Sequence, residues 1–207
     1  MMQQVFPINT QTFRLGYGPN KTVFFPQVFG MHNFQLQHNI NQTIFQQTQA
    51  LIREQVSNMP SSVVEMIGSY ELKNNQRNVL SLSLSNYTYH YQAAHGLTII
   101  KSLTFDLEKG KQDQLKDLFK QGSDYVGRLS ELIAKQIKER DIPILGEFEG
   151  IRPDQDFYIA DKSLVIYFQL YEITPYAYGF PMFPISVYDI QDIIDENSSL
   201  GRMLVNN

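Results

Sequence analysis

The side chains best suited to proton transfer or metal ligation near neutral pH are four histidines, at positions 32, 38, 90 and 95. His95 lies in Ala94-His95-Gly96, between two strand-like segments, with no sequence-adjacent acidic partner. The favoured reading is a structural histidine bonding loop backbone beside a glycine-permitted turn. His32 and His38 are six residues apart, which puts them on different faces of a helix, and no His-x-x-x-His pattern accompanies them. No metal site is expected. Glu147 and Glu149 flank Phe148 and would point the same way in a short strand, whereas glycoside hydrolysis needs carboxylates opposed across a cleft. Asp154-Gln155-Asp156 opens like a calcium loop but lacks the required glycine and the later glutamate, so it reads as turn capping. Phosphate-binding glycine loops and Gly-x-Ser-x-Gly elbows are absent, and with no cysteine there is no thiolate chemistry. The expected catalytic set is empty, and no cofactor is expected.

The strongest binding candidate is the segment Tyr171–Pro184. It sets Tyr171, Tyr176, Tyr178, Phe180, Met182 and Phe183 among Pro175, Gly179, Pro181 and Pro184. Prolines stiffen such a segment and lower the cost of ordering it on binding. Tyrosine offers apolar contact plus a hydroxyl, the chemistry enriched at binding hot spots. Tyr176, Tyr178 and Phe180 are the candidate ligand contacts. The competing reading folds these aromatics inward to seal one end of the core. A mixed arrangement would place Phe183 and Tyr171 inside and Tyr176 and Tyr178 outside.

Two helices must position these residues. Leu36, Ile40, Ile44 and Leu51 form an apolar stripe over 33–58, with Asn33 as N-cap and Pro60 as stop. Tyr125, Leu129, Leu132, Ile133 and Ile137 do the same over 124–140, capped by Ser123 or Asp124. A short helical turn is expected at 114–119. The rest is strand. Leu80, Leu82 and Leu84 alternate with Ser81, Ser83 and Ser85, a half-buried strand with a polar outer face. The apolar phase then flips to Tyr87, Tyr89 and Tyr91, predicting a bulge near Ser85–Asn86 or burial on both faces. A turn is expected at Asn74–Asn75. Lys101 falls in the apolar phase of the next strand and reads as a lysine snorkelling at a sheet edge. A hairpin turns at Asp161–Lys162, and the run Leu164–Phe168 is expected to be covered on both faces. The fold class is α+β, an antiparallel sheet packed by two main helices.

The 207 residues are 43% apolar and 18% charged, enough to fill a core and unlike a disordered chain. No apolar run is long enough to span a membrane as a helix, and the first residues lack the pattern of a secretory signal. The net charge of -4 argues against nucleic acid as a partner. The densest basic stretches, Lys109–Lys120 and Lys135–Arg140, are interleaved with acids and read as solvated faces. Compartment and oligomeric state are left open.

Several stretches taken in order carry a family resemblance. They are Pro26–Gly30, Ser83–Tyr89 ahead of Ala94-His95-Gly96, Ser102–Leu107 with Leu115–Phe119, Ile151–Tyr158, and Val165–Phe168 leading into Tyr171–Tyr176. This set resembles the paired domains of unknown function in the extracellular part of the lysozyme-sensing anti-sigma factor RsiV and in the accessory region of the peptidoglycan deacetylase PdaC. The resemblance implies an RsiV-type fold in two portions, residues 1–100 and 101–207, meeting near Lys101–Leu107 and packed as one body. It also implies a non-catalytic binding or sensing module, its partner a lysozyme-like protein or a cell-wall glycan. The alternatives are an intracellular structural or interaction protein, and a hydrolase. No ligand-contact residue carries over.

Overall fold

The structure is a computed structural model, and it describes residues 8–204. Nine strands and two α-helices are described. In chain order they are β1 (Asn9–Gly16), β2 (Lys21–Phe29), α1 (Phe34–Ser57), β3 (Val63–Gln76), β4 (Val79–His90), β5 (Leu97–Asp106), β6 (Lys111–Gln112), α2 (Tyr125–Glu139), β7 (Phe157–Ala160), β8 (Ser163–Tyr167) and β9 (Met182–Ser186). A six-stranded sheet runs in sequence order from β1 to β6, and a three-stranded sheet comprises β7, β8 and β9. The layers stack as α1, large sheet, small sheet, α2. The α+β class holds. One pairing departs from the antiparallel expectation: β2 and β3 run parallel. A parallel pair needs a long crossover, and the 24-residue α1 supplies it.

Both helices begin where their caps predict. The Asn33 side chain accepts the Leu36 amide at 3.0 Å, and Asp124 accepts the Gly127 amide at 2.9 Å. The stripe of α1 packs on Leu80, Leu82, Leu84, Leu103 and Phe105 of the large sheet. Asn41 on its flank grips the end of β2, accepting from Val28 N at 2.7 Å and donating to Val28 O at 2.9 Å. The stripe of α2, Leu129, Ile133 and Ile137, packs on Leu164, Ile166, Phe183 and Ile185 of the small sheet. The other face of that sheet, with Tyr158, Val165 and Tyr167, lies against the large one. The apolar run of β8 is therefore covered on both sides, as its pattern predicts.

Two of the three serines of β4 are not a solvent face. Ser81 and Ser83 are buried between the two sheets, where Ser81 Oγ accepts the Ile159 amide at 3.0 Å and bonds Thr104 Oγ1 at 2.8 Å. No register shift interrupts the pairing of β4 with β5. Of the two expected causes the bulge is absent, while burial on both faces holds over Val79–Leu84; beyond it the helix-facing positions turn polar, and Asn86, Thr88 and His90 are buried. Gln55 of α1 reaches in, donating to the carbonyls of Asn86 at 2.6 Å and Leu97 at 3.0 Å. His90 bonds the carbonyls of Ser61 and Gln55, each at 2.8 Å. The bulges lie instead in β3, at Val63/Glu65 and Leu72/Asn74. The β3–β4 turn is made by Arg77 and Asn78, at φ 55° and 56°, three residues beyond the expected Asn74–Asn75. Asn74 is buried, and its side-chain amide donates to the Val79 carbonyl at 2.7 Å, so it braces the turn rather than forming it.

The C-terminal residues are tied back to the large sheet through a carboxylate pair. Arg202 bonds Asp106 Oδ1 at 2.8 Å, and the buried Asp113 accepts from the Ser199 hydroxyl. Burial raises the Asp113 carboxyl above the ordinary aspartate value, outweighing the Ser199 hydrogen bond that lowers it, and the nearby Asp106 raises it further. A carboxyl raised on folding binds its proton more tightly in the native state. Its contribution is complete below the ordinary value of 3.8 and is lost as pH rises through the raised one. Urea unfolding across the acidic range should therefore show the stability advantage of the wild type over Asp113→Asn shrinking as pH increases. A difference independent of pH would show that Asp113 titrates normally in the folded chain.

Candidate functional site

The β4–β5 hairpin closes through residues 91–96. Gln92 takes the left-handed conformation at φ 59°, the Ala93 amide donates to His90 O at 3.0 Å, and Tyr89 Oη donates to Ala93 O at 3.0 Å. Gly96 is needed for close approach rather than for a left-handed turn: a Cβ here would overlap the ring of Tyr87. Burial and the Glu65 carboxylate push the Tyr87 hydroxyl up.

The second contributor is the segment after β8. Gln169 caps the open edge of β5 as a strand would, accepting from Ile100 N at 3.1 Å and donating to Ile100 O at 2.7 Å. Lys101 passes along this edge to Asp156, with Nζ 3.0 and 3.1 Å from the carboxylate oxygens. The snorkelling expected of it is observed, and it ends in an ion pair between the two sheets. Asp156 also accepts from Gln169 at 2.9 Å, and Arg152 pairs with Asp154 and Glu172. Asp154–Asp156 is thus a turn held by cationic partners.

These two segments meet in an aromatic ledge. Tyr176 lies over His95 with centroids 4.3 Å apart, and Tyr171 is 5.4 Å from Tyr176 and 6.2 Å from His95. The Tyr176 hydroxyl donates to the Gly96 carbonyl at 2.9 Å. His95 Nδ1 is 2.9 Å from the same carbonyl, which only an Nδ1–H can satisfy. Nε2 of the neutral ring is then free to accept the Tyr171 hydroxyl, 3.0 Å away. Both ring nitrogens are engaged, and among the described residues no carboxylate is hydrogen-bonded to His95. The geometry suits contact and hydrogen bonding.

The structure divides the aromatic segment differently from the sequence expectation. Phe183 is fully buried, as expected, but Tyr171 is 49% exposed rather than inside. Its φ of 67° turns it out of the strand direction. Tyr176 is half-buried because its ring and hydroxyl are clamped on the hairpin. Tyr178 is exposed and Phe180 half-buried, on either side of Gly179 at φ 83°. His95, read as purely structural, does bond loop backbone but also forms part of the exposed ledge. No sequence spacing links residue 95 to residues 171 and 176; only the docking of the two sheets does. Glu147 and Glu149 lie on an irregular exposed stretch, not a strand, and so are not set by alternation. Among the described residues no His, Asp and Glu cluster could hold a metal, and no helix is long and apolar enough to cross a membrane.

Two segments of the chain match two family models in tandem. Residues 20–98 match the family "Deacetylase PdaC", and residues 116–188 match DUF3298, described as a protein of unknown function. The two matches in this order support a DUF3298-type paired-domain arrangement, each model covering a little over a third of the chain. Among curated proteins it is similar to anti-sigma-V factor RsiV of Bacillus subtilis, 27% identical over 82% of this chain and 63% of that protein. It is also similar to the peptidoglycan-N-acetylmuramic acid deacetylase PdaC of the same organism, 24% identical over 64% of this chain and 30% of that protein. The chain thus spans less than two thirds of either relative. Crystal structures of DUF3298 family proteins from Bacteroides fragilis and Pseudomonas aeruginosa share the fold. Their TM-scores are 0.73 and 0.68, at 14% and 13% identity, over 98% of this chain and 99% of each of theirs.

Gly96→Ala should disturb the ledge by forcing the Tyr87 ring away, at an over-packing cost of about 1–2 kcal/mol. Urea unfolding and ring proton spectra of His95 and Tyr171 would register both effects. Gly16→Ala, where the new methyl meets nothing closer than 3.9 Å, should change neither.

Proposed function

We propose that this chain is a non-catalytic binding module whose contact surface is the aromatic ledge of Tyr171, Tyr176 and His95, with Tyr178 and Phe180 at its margin. Its ligand is a protein or a cell-envelope glycan. The observation that carries this reading is the ledge itself: rings held in fixed orientation, polar tips hydrogen-bonded, and Tyr171 and His95 open to solvent. Pre-ordered tyrosines lose little entropy on binding. The similarity to RsiV and to PdaC supports a protein or peptidoglycan-related ligand as the class to test first. A general base on His95 is disfavoured because Gly96 and Tyr171 hold both its nitrogens.

The division into an N-terminal portion, residues 1–100, and a C-terminal portion, residues 101–207, belongs to the same proposal. The two matched segments support a joint within residues 99–115. The ledge then draws His95 from one portion and its tyrosines from the other.

Calorimetry and pull-down with lysozyme, peptidoglycan fragments and chitin oligomers test the reading. One of the three should bind saturably. Tyr171→Ala with Tyr176→Ala should weaken it by roughly 30-fold or more, the loss of at least one hot-spot residue. No binding by the intact chain, or equal binding by the double variant, would count against the ledge. Turnover of a glycan that is abolished by His95→Gln would overturn the non-catalytic reading outright.

A further inference from the structure

The stretch Lys109–Lys120 reads in sequence as a solvated face with its charges balanced. The fold separates those charges. The turn after β5, the short β6 and a 3₁₀ turn at Leu115–Leu118 wrap Lys109, Lys111, Lys116 and Lys120 around one hollow of about 440 Å³. Its aromatic wall is Phe119 and Tyr125, stacked at 4.9 Å and 5°.

Both acids of the stretch pair with Lys111 and leave the other three lysines without a carboxylate partner among the described residues. Asp113 turns inward, its side chain only 3% exposed, accepts from Ser199 and lies 3.6 Å from Lys111 Nζ. Asp117 accepts the Gln114 amide at 2.9 Å and pairs with Lys111 at 3.2 Å. Lys120 Nζ donates to the backbone carbonyl of Asp192 at 2.6 Å, an acceptor that leaves its charge uncompensated. Lys109 and Lys116 make no ion pair within 4.0 Å among the described residues. The carboxylates lining the hollow are Asp117 and Asp195, so cations outnumber anions there although the chain as a whole is acidic. The hydroxyls of Ser123 and Tyr125 already donate to the carbonyls of Lys120 and Pro153. What the walls offer a ligand is chiefly ammonium donors.

We propose that this hollow is an oxyanion site that takes a phosphate ester or a diphosphate. Several ammonium groups converging on one space call for a ligand with several charged acceptor oxygens, which a phosphate supplies and a lone carboxylate does not. The acidic remainder of the chain disfavours a long polyanion. The site shares no residue with the aromatic ledge, so either can fail without the other.

Amide NMR titrations at low salt with inorganic phosphate, glycerol phosphate, pyrophosphate and acetate test the proposal. Saturable shifts confined to residues around 109–123 are expected with pyrophosphate and glycerol phosphate. Strong response to inorganic phosphate as well would assign the site to the free anion, and preference for glycerol phosphate would assign it to an ester. Lys109→Ala with Lys116→Ala should weaken binding about tenfold or more. Lys135→Ala with Lys138→Ala, on the exposed face of α2, should leave it unchanged. Equal weakening by both pairs, acetate binding as tightly as pyrophosphate, or no saturation with any anion would overturn it.

Discussion

One hydroxyl fixes how the two sheets meet. Ser81 sits on a polar stripe of the large sheet, fully buried, and must find partners because an unpaired buried hydroxyl costs about 1–3 kcal/mol. It accepts the Ile159 amide of the small sheet and bonds Thr104 beside it. Ser102 repeats the arrangement with the Tyr167 hydroxyl at 2.9 Å, where burial pushes that phenol far above its ordinary range. The seam is thus polar and directional. A greasy interface of the same area could slide by a residue; paired hydroxyls and amides set one register.

Everything that forms the ledge follows from that register. With β7 fixed, Asp156 lies beside Lys101 and Gln169 lies along the free edge of β5. An ion pair this exposed adds at most about 1 kcal/mol, so its role is positional. The chain leaving Gln169 then meets the hairpin at 91–96, and Tyr176 finds the Gly96 carbonyl. The oxyanion hollow has a different origin. It depends on Asp113 and Asp117 both pairing with Lys111, which leaves Lys109, Lys116 and Lys120 around the hollow without a carboxylate partner among the described residues.

What could be read from the sequence was whatever has a local cause. Helix stripes and Asn and Asp caps are encoded within a few residues, and both helices begin at their caps. The two-sided burial of β8 was legible from its unbroken apolar run. The serine stripe was legible as polar but not as buried, because polarity along a strand does not reveal a second sheet that can satisfy it. The apparent phase flip after Ser85 misled only toward a bulge: Asn86, Thr88 and His90 face a helix that presents Gln55 at that point. The hairpin of β1 and β2 lacks clean alternation, since Pro26 and Val28 are buried as well as Val23 and Phe25. The ledge was half legible. The aromatic segment marked itself by composition, whereas the partnership of Tyr171 and Tyr176 with His95 arises from contacts about 80 residues apart.

The ledge can exist only if the two sheets behave as one body through the Ser81 seam. Equilibrium unfolding of Ser81→Val and wild type, followed both by tyrosine fluorescence and by far-ultraviolet circular dichroism, tests this most directly. One transition seen identically by both probes, moving to lower urea in the variant without splitting, is the predicted result. Two separate transitions in the wild type, or a variant in which only one probe responds, would contradict it.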